Sequence, residues 1–202
     1  KQVPRVMSVK VPGPVFVMGL PRTGTTLLHR LLSLDPQVRA PLLWELLAPV
    51  PRCKGTEDTF EDCQAAFGKD MDYRANWVKK LMKTRKSMGD KSVEHIHETE
   101  WNLPEECFMT LSDEVPFLVQ YFYSAYMHEE ETESLLRKQM VAAYTHHKKY
   151  LQLLSYQNNE GGLPGDGGSK HGWASKDPRR WMLKCPVHLY YPEEIAKVFP
   201  DA

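Results

Sequence analysis

The stretch Gly19-Leu20-Pro21-Arg22-Thr23-Gly24-Thr25-Thr26 carries the residue types that hold a tetrahedral anion. A glycine-rich turn feeding a helix aims several backbone N–H groups at one point, with the positive end of the helix dipole behind them. Arg22 adds a forked cation, and Thr23, Thr25 and Thr26 add short hydroxyl donors. The pattern departs from the nucleoside-triphosphate loop G-x-x-x-x-G-K-[ST]. Gly19 and Gly24 hold the glycine positions and Thr26 the final hydroxyl, but Thr25 stands where that loop has lysine. A triphosphatase without this lysine loses its main cation at the β and γ phosphates. The loop therefore suits an anion carrying less charge than a triphosphate. A glycine turn that merely opens a helix is the plainer alternative, and two glycines alone would favour it.

Elements on either side decide between these readings. Pro12-Gly13-Pro14 is turn punctuation, and Val15-Phe16-Val17-Met18 after it has the composition of a strand buried on both faces. From Thr25 to Leu34 the residues Leu27, Leu28, Leu31 and Leu32 fall at helical spacing, and Asp35-Pro36 ends the run. Strand, glycine loop and helix follow without a gap, which favours the anion site. Arg180-Trp181-Met182-Leu183-Lys184 predicts a second buried strand, Cys185 to His188 a turn off its end, and Tyr190 to Phe199 a closing helix. Between them, Leu136, Met140, Ala143, Tyr144, His147, Leu151 and Leu154 mark one face of a long helix from Ser134 to Ser155. Pro104 suits the first turn of a helix, where Glu105 and Glu106 would meet the positive end of its dipole. Residues 158–178 are rich in glycine, asparagine and proline and read as a flexible inserted loop. Strand–helix alternation predicts an open α/β sheet.

Composition narrows the classes. The 202 residues form one domain or a large part of one, and 42% hydrophobic with 26% charged residues is an ordinary globular balance. A formal net charge of zero argues against a nucleic-acid or anionic-membrane partner. No apolar run approaches the ~18–20 residues that span a bilayer. Cys53, Cys63, Cys107 and Cys185 lack the short spacings of a zinc ribbon, and scattered thiols slightly favour a cytoplasmic location. His95, His97, His146 and His147 belong to no Cys/His set with ligand spacing, so the sequence gives no metal site. Lys1 and the abrupt stop after Val198-Phe199-Pro200-Asp201-Ala202 read as the ends of a fragment, which leaves any upstream signal or anchor open.

Four stretches together resemble the sulfotransferase family, in its bacterial-type branch. Gly19 to Leu32 is similar to the family's 5′-phosphosulfate loop in its P-R-[ST]-G-T-T-L-L form. Pro41-Leu42-Leu43-Trp44-Glu45 resembles the segment after the first helix, and Pro104-Glu105-Glu106-Cys107 a motif of the bacterial-type branch. Leu183-Lys184-Cys185-Pro186-Val187-His188-Leu189, followed by Phe199-Pro200-Asp201-Ala202, resembles L-K-S-P-x-H-L…F-P-D-A, with Cys185 in place of the usual serine. Order and spacing agree across nearly the whole chain.

The resemblance implies a single domain over residues 1–202 with the fold of P-loop nucleoside triphosphate hydrolases, three-layered around a central parallel sheet and incomplete at its C-terminus. It implies PAPS (3′-phosphoadenosine 5′-phosphosulfate) as cosubstrate, no metal, and a small-molecule, glycan or lipid acceptor; residues 52–157 are read as a helical acceptor-side region, of which 52–135 would build much of the pocket. Pro21, Arg22, Thr23, Gly24, Thr25 and Thr26 would bind the cofactor's 5′ end, with Arg22 in the position many relatives fill with lysine. Lys184 resembles the second family cation, facing the sulfonate; an ion pair with a nearby carboxylate is its structural alternative. The acceptor's base is Glu45 by the resemblance, then His188, whose spacing from Lys184 departs from K-x-H, then Glu106. The family's 3′-phosphate site lies in a unit after F-P-D-A, beyond residue 202, so residues 1–202 by themselves are expected to bind PAPS poorly. Two other readings stand beside this one: a P-loop kinase or other phosphoryl transferase, against which Thr25 argues, and a nucleotide-binding module without turnover.

Overall fold

The computed structural model describes residues 6–50, 74–85, 87, 99–112, 130–158 and 179–202. Its named elements are β1 (Val15–Val17), α1 (Thr25–Leu32), β2 (Val38–Arg39), α2 (Leu43–Leu47), α3 (Phe108–Ser112), α4 (Glu130–Asn158), β3 (Arg180–Lys184), a 3₁₀ turn (Pro186–Tyr190) and α5 (Pro192–Val198). A further helical stretch covers residues 74–85. The chain divides into two compact units. One is drawn from Lys1–Val9, Leu42–Glu105 and Leu153–Asp177, the other from Lys10–Pro41, Glu106–Gln152 and Pro178–Ala202.

The second unit holds the sheet, which is α/β and wholly parallel among the described strands. Its order is β1-β3-β2, so β3 lies at the centre although it comes last in the chain. Val15 pairs with Met182, Phe16 with Leu183 and Val17 with Lys184; on the other side Val38 pairs with Arg180 and Arg39 with Trp181. A strand paired on both edges and covered on both faces needs a continuous apolar run. Trp181, Met182 and Leu183 supply it, all buried. Lys184 closes the run as a buried cation at the strand's carboxyl end, level with the end of β1. Because ligand sites of open parallel sheets lie at the carboxyl ends of the strands, this register brings the glycine loop after β1 and Lys184 to one edge.

Helix α1 packs with its polar side inward. His29 is buried, and its Nε2–H donates to the Met182 carbonyl at 3.0 Å, which also fixes the tautomer because a carbonyl only accepts. The leucines predicted at helical spacing form a stripe, and it faces outward: Leu27, Leu28, Leu31 and Leu32 are all exposed. The long predicted helix is present as α4, and Met140, Ala143, Tyr144, His147, Leu151 and Leu154 on the predicted face are buried. Lys148 Nζ donates to the Val198 carbonyl at 2.8 Å and ties α4 to the end of α5. The Gly13 position admits no side chain, since a Cβ there would lie 1.8 Å from the Asp201 carbonyl oxygen.

In the first unit, α2 begins with its own box: the Leu42 N–H donates to Glu45 Oε2 at 2.9 Å. Backbone bonds from Leu43 to Leu103 and from Trp44 to Trp101 hold it against the 101–104 turn. Arg74 donates to the carbonyls of Ala48 and Pro49 and lies over the Trp44 ring. The expected helix start at Pro104 is corrected. Pro104 pairs with Leu42 in an antiparallel bridge, and α3 begins only at Phe108. The expected loop lies, but for its first residue, outside the described residues, as do residues 57–73 and Cys53 and Cys63. Among the described residues no helix is long and apolar enough to cross a membrane.

Candidate functional site

The loop after β1 owes its shape to two backbone positions. Gly24 has φ +84°, left-handed backbone that glycine adopts without penalty, and open space surrounds the place where a Cβ would stand. Arg22 is also left-handed, at φ 68°, the one such non-glycine residue among those described. Strain of this kind persists where the surrounding structure imposes it, and it clusters at ligand-binding loops. Thr23 Oγ1 donates to the Leu20 carbonyl at 2.7 Å, so this hydroxyl spends its proton on closing the turn. Gly24 then caps α1, whose first intrahelical bond runs from Leu28 N–H to the Gly24 carbonyl at 3.1 Å. No side chain caps α1 and its first turn holds no acidic residue. The opening N–H groups of the helix thus have no side-chain cap, an arrangement that favours an anion.

Lys184 reaches this helix start from β3. Its ammonium donates to Thr26 Oγ1 at 3.0 Å and to Glu106 Oε1. Lysine has only donors, so Thr26 accepts, and its own O–H is left to donate elsewhere. An ammonium 3% exposed needs an anionic partner, because desolvating an unpaired charge costs several kcal/mol. Glu106, 26% exposed, is that partner. The Cys107 N–H donates to the Lys184 carbonyl at 3.0 Å, so the Glu106–Cys107 turn holds Lys184 by both main chain and side chain. This draws Glu106 away from the helix-start role that the sequence suggests for it. The structural alternative for Lys184, a carboxylate ion pair, is thus present beside its contact with the loop.

A buried polar cluster lies beneath. His188 has no exposed surface; its Nδ1 is 2.9 Å from Tyr144 Oη, and Phe16 meets its ring edge-on at 4.9 Å. Burial pushes its pKa well below the ordinary histidine value and that of the Tyr144 phenol up, so both stay neutral. His147 Nδ1 pairs with Thr110 Oγ1 at 2.7 Å, and Thr110 Oγ1 donates to the Cys107 carbonyl at 2.8 Å. Burial lowers the His147 pKa to about 3 and raises that of the Cys107 thiol to about 12; it raises Cys185 as well. Both thiols are free, buried and protonated.

The structure brings Thr26 and Lys184 together, with Gly24, Thr25, Arg22, Thr23 and Pro21 along the same loop and turn. His188 lies in the core directly after β3, and Glu45, also buried, belongs to the other unit and is committed to the Leu42 N–H. Sequence reasoning ranked Glu106 last among the bases and missed its contact with Lys184; the Pro-Glu-Glu-Cys motif was the signal for it. Among the described residues no three His, Cys, Asp or Glu side chains gather as metal ligands.

A parallel sheet whose central strand ends on a lysine beside a glycine loop and an uncapped helix start defines an α/β protein of the P-loop-like class. The sulfotransferase family model matches residues 14–202, and the chain belongs to the sulfotransferase family. Two solved structures are similar to it. Sulfotransferase STF1 from Mycobacterium tuberculosis H37Rv shares 26% identity at a TM-score of 0.63, covering 100% of this chain and 46% of that one. Sulfotransferase STF9 from Mycobacterium avium, at 24% identity and a TM-score of 0.57, shares the fold over 98% of this chain and 43% of its own. The chain thus spans less than half the length of either. No curated protein matches it.

Proposed function

We propose that the protein takes part in PAPS-dependent transfer of a sulfuryl group to a hydroxyl or amine of a small molecule, glycan or lipid acceptor. The observation that carries this reading is the 3.0 Å contact between Lys184 Nζ and Thr26 Oγ1, which adds a second cation to a loop lacking the triphosphatase lysine. PAPS supplies the activated sulfuryl group when bound. Gly24, Thr25 and Thr26 would hold the 5′-phosphate through the uncapped N–H groups of α1 and the Thr25 and Thr26 hydroxyls. Thr26 is a better donor there because Lys184 already occupies its oxygen. Arg22 and Lys184 would neutralise charge on the transferring and leaving oxygens, where fixed donors act most strongly. Pro21 and Thr23 shape the turn.

The family resemblance favours Glu45 as the acceptor's base, with His188 and Glu106 behind it. His188, neutral and fully enclosed, is better suited to holding the strand end than to meeting an acceptor. Glu106 is already engaged by the buried Lys184 ammonium, which places it against that cation rather than towards an acceptor. A screen of PAPS-dependent transfer to sugars, phenols, sterols and lipid alcohols tests the reading. Transfer to at least one class, lost in Lys184→Ala, is expected; magnesium-dependent phosphoryl transfer from ATP in place of sulfuryl transfer would overturn it.

A further inference from the structure

We infer that Glu106 is a charge gate on Lys184: its carboxylate holds the ammonium at the loop and competes with an incoming anion for it. The inference rests on the anion-site reading above and goes beyond it, since that reading gives Glu106 no part in donor affinity. Three observations carry it. Lys184 divides its donors between Thr26 on the loop and Glu106, so one cation faces both the anion cradle and a fixed carboxylate. The pairing is built in, because Cys107 N–H to Lys184 carbonyl and Thr110 Oγ1 to Cys107 carbonyl pin the turn carrying Glu106. Glu106 is 26% exposed while Lys184 is 3% exposed, so the carboxylate has the room to yield and the ammonium does not.

The physical consequence has two parts. A buried ammonium without a counter-ion would be destabilised and free to reorient, so Glu106 keeps Lys184 placed before any ligand arrives. The same negative charge repels the ligand's anionic groups across a short, partly desolvated distance. Glu106 is thus a positioning residue that lowers affinity for donor and desulfated product alike. When the product leaves, the carboxylate restores the partner that Lys184 loses.

Calorimetry with adenosine 3′,5′-bisphosphate on the full-length wild type, Glu106→Gln and Glu106→Asp tests this without turnover. Glutamine keeps an oxygen acceptor for Lys184 and removes the charge; aspartate keeps the charge and shortens the reach. The bisphosphate should bind Glu106→Gln about tenfold more tightly than wild type, as expected for one unit charge at this range. Glu106→Asp should stay within about threefold of wild type, and the donor KM of Glu106→Gln should fall in parallel. Equal affinity in wild type and Glu106→Gln, with circular dichroism showing both folded, overturns the gate. Equal tightening in both variants overturns it too, since geometry rather than charge would then govern. Turnover abolished in Glu106→Gln at unchanged affinity would make Glu106 a base instead. A full-length wild type that binds no bisphosphate would refute the anion-site reading itself, and the gate with it.

Discussion

A lysine ammonium at the end of a buried strand is stable only with partners, and Lys184 has two of opposite kind. Thr26 links it to the anion loop and Glu106 to a carboxylate. The first contact makes Lys184 part of the site; the second makes its charge available without leaving it unpaired. Replacing Lys184 by alanine, or Arg22 by alanine, should each remove on the order of 2–4 kcal/mol of transition-state stabilisation, read as a fall in kcat for sulfuryl transfer. If both variants keep near wild-type turnover, neither cation acts on the reacting group. The residues of the loop were legible in the sequence because their chemistry is local: glycine, arginine and threonines within eight positions. Glu106 was not, because its partner lies 78 residues away, and a Pro-Glu-Glu run before apolar residues has the composition of a helix start.

The elements obey the same division between local and distant causes. The boundaries of β3 match the sequence reading to the residue, since a central parallel strand must be apolar throughout. β2 escaped it because two residues are too few to show any period. Helix α1 shows the spacing read from the sequence, and the His29 bond to Met182 turns its polar side to the sheet and its leucines outward. Two predictions belong here. Gly24→Ala places a side chain in left-handed backbone and should cost about 1 kcal/mol of stability in denaturant unfolding. Gly13→Ala should cost more, because its Cβ would collide with the Asp201 main chain rather than with a movable side chain. An equal effect of the two substitutions would contradict that packing.

The buried histidines under the sheet set how α4 responds to acid. His147, with a folded pKa of about 3 against an ordinary 6.5, and His188, also well below it, are both held neutral by burial. The unfolded chain binds these protons first, so their contribution to stability is complete above pH 6.5 and is lost as pH falls from there towards about 3. Urea midpoints measured between pH 7.5 and 5 should therefore decline, and His147→Asn should flatten the decline whatever it does to stability at pH 7.5. An unchanged slope in that variant would mean that His147 is charged in the folded state.

At the scale of the whole molecule, the parallel sheet brings the loop and Lys184 to the carboxyl ends of β1 and β3. The α/β class was legible because the strand and helix patterns alternate along the chain. The order β1-β3-β2 was not, because nothing local states that the last strand inserts between the first two. The division into two units was equally hidden, since each is assembled from three separate stretches of chain. Membership in the sulfotransferase family rests on a match over residues 14–202, and the donor is the part of the account that the site's chemistry must bear out. The most direct measurement is calorimetric titration of the full-length protein with adenosine 3′,5′-bisphosphate and, separately, with ATP, each with and without magnesium. The account predicts that the bisphosphate binds more tightly than ATP, without need of magnesium, and that Lys184→Ala weakens it. Tighter binding of ATP that requires magnesium would contradict it.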